Sequence, residues 1–105
     1  MTQFVLVMTH LPDQCPTANA TVQKLFQGVA KDLPLLSKEL GGKILAGPLI
    51  STDHREFAIG EANGVDAVRD FLLESALIQW NNVEVLPAVN AEEANKELEK
   101  LRPIY

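Results

Sequence analysis

The sequence predicts an α+β domain in which strands and helices follow one another as β-α-β-β-α-β, closed by a further short helix. Three observations carry this reading. The chain opens on QFVLVMTH (3–10), a strand-like run with almost no polar interruption. Two stretches with apolar residues at helical spacing follow the first and third strand-like runs. Between the second and third runs stands only Thr52-Asp53, short enough for a hairpin turn.

The bulk properties suit one such domain. A chain of 105 residues holds a single core, and 47% hydrophobic with 22% charged residues is an ordinary globular composition. Fourteen acidic against nine basic side chains leave a net charge of -5, with Lys and Arg scattered, so nucleic acid is not an expected partner. The start lacks a basic segment and an A-x-A-like cleavage site, and no apolar run approaches the ~18 residues of a membrane span. No membrane partner is expected, and the cytoplasm is the expected compartment. A single cysteine, Cys15, excludes an internal disulfide and CxxC-type redox or zinc sites.

The first strand, 3–10, is apolar on both faces and suits a central position. LPDQCP then reads as a turn, with Pro16 fit for the first turn of a helix. Val22, Leu25, Phe26, Val29 and Leu33 recur on one stripe; Pro34 should break or restart the helix, with Asp32 capping a second piece that carries Leu36 and Leu40. Gly41-Gly42 ends it. KILAGPLIST (43–52) is the second strand, and Gly47-Pro48 inside it argues for a bulge and an edge position.

HREFAIGEA (54–62) is the third strand, followed after Asn63-Gly64 by a helix over 65–77, with Val65, Val68, Leu72 and Ala76 on one stripe. NVEVLPAV (82–89) is the fourth strand. Asn90 with Glu93 three residues on resembles a capping box for a closing helix that carries Ala94, Leu98 and Leu101.

Two β-α-β halves joined by a hairpin make the ferredoxin-like βαββαβ unit: a four-stranded antiparallel sheet in the order 4-1-3-2, with both main helices on one face. The first strand is too apolar for the other face to meet water. A second copy packed sheet to sheet is the expected cover, a homodimer whose two sheets enclose a barrel.

HLPDQCPTAN (10–19), DHREF (53–57) and ESALIQWNNVEVLP (74–87) give the chain a resemblance to the dimeric α+β barrel superfamily, and within it to a family of short uncharacterised proteins. The resemblance spans nearly the whole chain. It implies the ferredoxin-like fold and the homodimer over 1–105. It also implies a small-molecule-binding function, or an isomerase- or monooxygenase-type enzyme, cofactor-free or metal-assisted, acting on a small organic substrate.

With the first and third strands taken as running parallel, the end of the first lies beside the end of the third and the start of the fourth. His10, Cys15 and Trp80 then gather at one sheet edge, within reach of Asn19, Asn81 and Asn82. His10 is the candidate catalytic residue, since an imidazole moves protons near neutral pH. Cys15, Asn19, Trp80 and Asn81 are candidate ligand-binding residues, offering a thiol, amides and a stacking indole to a small planar or anionic organic ligand. Arg55, beside His54, is a candidate fork for a carboxylate. The plain alternatives are that His10 bonds to backbone, Cys15 is a small buried filler and Trp80 is interface packing.

His10 and Cys15 at H-x4-C spacing also raise a soft-metal site with His54 as third ligand. In that parallel arrangement His54 opens the third strand while His10 closes the first, so strands of eight or nine residues at about 3.3 Å each put roughly 25 Å between the two histidines. No metal ligand set is therefore assigned, save through the His54 of a partner subunit, and no cofactor is named. Glu61 is taken as the acid inside a strand, a base if it faced the barrel interior. Strand alternation puts Arg55, Phe57, Ile59 and Glu61 on one face and Glu56, Ala58 and Gly60 on the other, without saying which points inward.

Overall fold

The computed structural model describes the whole chain, Met1–Tyr105. Its elements are β1 (Thr2–Thr9), a 3-10 turn (Pro12–Gln14), α1 (Ala20–Val29), α2 (Leu33–Glu39), β2 (Gly42–Ile50), β3 (Arg55–Ala62), α3 (Val65–Glu74), α4 (Leu77–Trp80), β4 (Asn82–Ala88) and α5 (Ala91–Leu98). The four strands form one sheet in the order β2-β3-β1-β4. This is the ferredoxin-like βαββαβ fold with an extra C-terminal helix.

The sheet is antiparallel at every pairing, which corrects the parallel placement of the first and third strands. The connectivity explains it. A crossover helix leaves β1 and β2 pointing the same way, and the hairpin then reverses β3. Thr2 pairs with Ala62 and Thr9 with Arg55, while Thr9 also pairs with Asn82. The end of β1 thus meets the start of β3 and the start of β4 together.

Local chemistry sets the boundaries. Pro16 lies outside the first helix; α1 starts at Ala20 because the Asn19 side chain accepts the Val22 N–H, and Cys15 O draws in the N–H groups of Ala18 and Asn19 to close a turn ahead of it. A 3-10 segment (Ala30–Asp32) separates α1 from α2, with Pro34 in the first turn of α2 and no bond from the Asp32 side chain. Gly41 (φ +88) ends α2 in the left-handed region. The β2–β3 register shifts between Ile44 and Ala46 and again between Ala46 and Leu49, around the Gly47-Pro48 pair on the edge strand. The helix expected over 65–77 stops at Glu74, since Ala76 takes φ +61 and α4 restarts in a new direction. Asn90 caps α5 by accepting the Glu93 N–H at 2.8 Å.

One face of the sheet is covered. Phe4, Leu6 and Met8 of β1 and Ala58 and Ala62 of β3 share a core with Val22, Leu33, Val68, Phe71, Leu72, Leu77 and Trp80 of the helices. Burying each large apolar side chain stabilises the fold by roughly 1.5–3 kcal/mol, so this layer sets which way the strands face. Glu56 and His10 stand on that same parity, one step beyond Ala58 and Met8. The other face leaves Phe57, Ile59, Leu86 and Leu49 exposed. No residue of α5 is buried, and Leu98, Leu101, Ile104 and Tyr105 after its start are exposed. No helix is long and apolar enough to cross a membrane.

Candidate functional site

At the end of β1 the chain leaves the sheet with His10, runs through the 3-10 turn to Cys15, and returns beside the β2–β3 hairpin. The backbone N–H of His10 donates to His54 O at 3.1 Å, adding one rung to the β1–β3 ladder and tying the two histidines together. Their rings meet edge to face, with centroids 5.3 Å apart. The separation of roughly 25 Å expected from parallel strands is therefore wrong: His54 opens β3 beside the end of β1, within one subunit, because the strands are antiparallel. His54 adopts φ +64, an uncommon backbone for a residue with a Cβ.

The ligand atoms of His10, Cys15 and His54 all lie within 4.8 Å of one another. Cys15 is buried, and its Sγ is 3.0 Å from Thr17 Oγ1. These residues line a cleft of about 340 Å³ together with Pro16, Thr17, Phe26, Ile50, Ser51, Thr52 and Glu56. A second crevice, about 50 Å³ beneath Phe4, Ile44 and Phe71, is mostly apolar and has little room for a ligand.

Hydrogen bonding makes His10 Nδ1 a donor. Asn81 is buried, and its Nδ2 donates to Leu77 O at 3.0 Å; a carbonyl only accepts, so the amide must point its Oδ1 the other way. That oxygen sits 3.1 Å from His10 Nδ1, which therefore carries the proton. A ring with its proton on Nδ1 alone carries its lone pair on Nε2. This atom is buried and has no hydrogen-bond partner in the protein. Trp80 lies against the same imidazole (centroids 5.2 Å apart) and against Phe26 (5.9 Å), so it is a buried wall behind His10.

Glu56 is the acid that sequence reasoning missed. Its side chain is 1% exposed, its Oε2 has no partner, and burial pushes its pKa up to about 7. Glu61, taken as the acid inside a strand, is on the open face with Arg55, Phe57 and Ile59. The signal for Glu56 was its parity: it shares a face with Ala58 and Ala62, small residues that β3 turns to the core.

The remaining candidates are spread out. Asn19 is committed to the cap of α1, its Nδ2 donating to Asp13 O at 3.1 Å and its Oδ1 accepting from Val22. Arg55 points away from the cleft, and its Nε pairs with Asp53 Oδ2 at 3.2 Å on the surface. A hydroxyl bond from Ser51, with the charge of Arg55 added, holds the Asp53 carboxyl below its ordinary range. The structure thus brings together His10, Cys15, Asn81 and Trp80 with His54 and Glu56, and leaves Asn19 and Arg55 outside. No protein-family model, curated protein or solved structure matches this chain.

Proposed function

We propose that this protein binds a small organic molecule, anionic or polar, in the cleft at the end of β1, and that it works as a homodimer of the dimeric α+β barrel kind. One observation carries the binding reading. His10 Nε2 is buried without a hydrogen-bond partner, on a ring held by Asn81 that lines a cleft with several polar side chains. A buried polar atom left alone is costly, and a ligand donor would relieve it.

The homodimer rests on two uncovered apolar surfaces in one chain, the open sheet face and the segment from Leu98 to Tyr105. A second copy supplies a matching cover for each.

The experiment is a ligand screen of small carboxylates and heteroaromatic compounds against isotope-labelled protein. Binding is expected to shift the resonances of His10, His54 and Thr17, and His10→Ala should weaken it. Hits that shift only the open sheet face, or that bind His10→Ala as well as the parent, would refute the assignment.

An enzyme is the second reading, favoured by the placement of Glu56 and His10 on one cleft, a carboxyl and an imidazole each with an unpartnered atom. Such a pair moves a proton between two carbons of one substrate, the core step of an isomerase. Glu56→Gln would then bind ligand but not convert it.

A further inference from the structure

We propose that His10 Nε2, Cys15 Sγ and one imidazole nitrogen of His54 bind a borderline-soft divalent transition-metal ion, with zinc as the representative ion. The proposal rests on the reading that this cleft is the protein's binding site, and names an ion as its resident ligand.

The first support is the convergence of three ligand residues from three separate segments. His10 ends β1, Cys15 follows the 3-10 turn and His54 closes the hairpin, yet their ligand atoms lie within 4.8 Å of one another. Tetrahedral zinc, with Zn–N of about 2.0–2.1 Å and Zn–S of about 2.3 Å, needs ligand atoms about 3.3–3.6 Å apart. Rotation of the Cys15 and His54 side chains would have to close that difference. The two rings could stand together as an aromatic contact, but such a contact gives no reason for a thiol to join them.

The second support is independent of distance. A histidine that binds metal through Nε2 typically donates Nδ1–H to a fixed acceptor, which sets the tautomer and aims the ring. His10 has this arrangement: Nδ1 faces Asn81 Oδ1 at 3.1 Å, the amide is itself held by Leu77 O, and the buried Nε2 is free. Thr17 Oγ1, 3.0 Å from Cys15 Sγ, would donate its hydroxyl proton to a thiolate.

Two imidazoles and one thiolate select zinc or copper over magnesium or calcium, which want oxygen ligands. On binding, the Cys15 S–H bond breaks, its proton passes to solvent and the sulfur keeps the electron pair as a metal ligand. Three protein ligands leave the fourth tetrahedral position open toward the cleft. A water or a small organic ligand would occupy it.

The test is a titration of the chelator-treated full chain with cobalt(II), followed by displacement with zinc. One equivalent of cobalt is expected to give a near-ultraviolet thiolate charge-transfer band and visible bands of tetrahedral strength, both removed by one equivalent of zinc. Cys15→Ser should abolish the charge-transfer band. His54→Ala and His10→Ala should each weaken zinc by about a hundredfold or more, since losing a ligand exceeds the 10–100-fold cost of losing an outer-shell partner. Circular dichroism establishes that each variant is folded; His54, on the hairpin turn, is the variant least tied to the core.

Absence of the thiolate band overturns the proposal, and so does a band that His10→Ala and His54→Ala leave unchanged, which would mark a cysteine binding metal alone. The broader reading stands or falls separately. Organic ligands that shift cleft resonances in a protein that gives no cobalt band would sink the metal site and keep the binding cleft; a zinc site with no organic ligand would do the reverse.

Discussion

Asn81 Oδ1 lies 3.1 Å from His10 Nδ1, and the Asn81 Nδ2 donates to Leu77 O at 3.0 Å. The orientation of His10 is thus set from the start of β4, by a carbonyl at the start of α4. The two residues are 71 positions apart in sequence. The β1–β4 register brings them together, with Thr9 opposite Asn82.

Removing that amide should loosen the imidazole without touching the cleft. Asn81→Ala is expected to cost about 1–3 kcal/mol of stability, the range for a buried polar group that loses its partner. Zinc affinity should fall about 10–100-fold, since either ring nitrogen can then carry the proton. Urea unfolding and zinc titration measure the two effects. An unchanged affinity would mean that Asn81 serves only the end of α4.

The fold was legible because its signals are local. The apolar run at β1, the helix stripes, the Gly47-Pro48 interruption and the cap at Asn90 each report a nearby backbone event. The site was legible in part. His10, Cys15, Trp80 and Asn81 flank β1 and β4, whose ends the strand order alone brings together. His54 was lost to strand direction, which no single residue encodes; only the whole path through crossover and hairpin does. Glu56 was hidden by a different cause. Parity divides β3 into two faces, and only packing by α1 and α3 decides which of them is dry.

Two glycines should respond to alanine in opposite ways. A Cβ at Gly47 would lie 2.6 Å from Phe57 O, on a backbone at φ +86 that disfavours any L side chain. Gly47→Ala should destabilise by about 2–4 kcal/mol, adding a steric clash to the roughly 1–2 kcal/mol of the left-handed backbone. Gly28 is exposed within α1, and a Cβ there meets nothing within 4 Å. Gly28→Ala should therefore stabilise by about 0.5–1 kcal/mol, the helix preference of alanine over glycine. Thermal unfolding of both variants checks the pair; equal effects would contradict the conformations assigned to them.

Ile59 tests the homodimer. It is 42% exposed in the single chain, on the open sheet face beside Phe57. A lysine there costs the monomer little, because surface substitutions away from special features stay within about 0.5 kcal/mol. Buried between two sheets, the same charge would be unpaired and prohibitive. Ile59→Lys should convert a dimer into a folded monomer, as read by light scattering and circular dichroism. A parent protein that is itself monomeric at micromolar concentration would dispose of the pairing.

Glu56 makes stability depend on pH in a defined direction. Its pKa stands near 7 in the folded chain against an ordinary 4.5, because burial disfavours the carboxylate. Below about pH 4.5 both folded and unfolded chains hold the proton and the group contributes no difference. Between 4.5 and 7 the unfolded chain gives up the proton while the folded chain keeps it, so stability falls as pH rises. Above 7 the folded chain carries a buried charge, and the loss levels off at no more than about 3 kcal/mol, less whatever water in the cleft relieves. His10, His54 and Cys15 face the same cleft, so the useful quantity is the difference between the parent and Glu56→Gln, measured by urea unfolding in the presence of a chelator. The variant should lose about 1–3 kcal/mol less than the parent between pH 5 and pH 8. Parallel curves would mean that the Glu56 carboxylate is hydrated in the folded protein and that its burial exerts no such penalty.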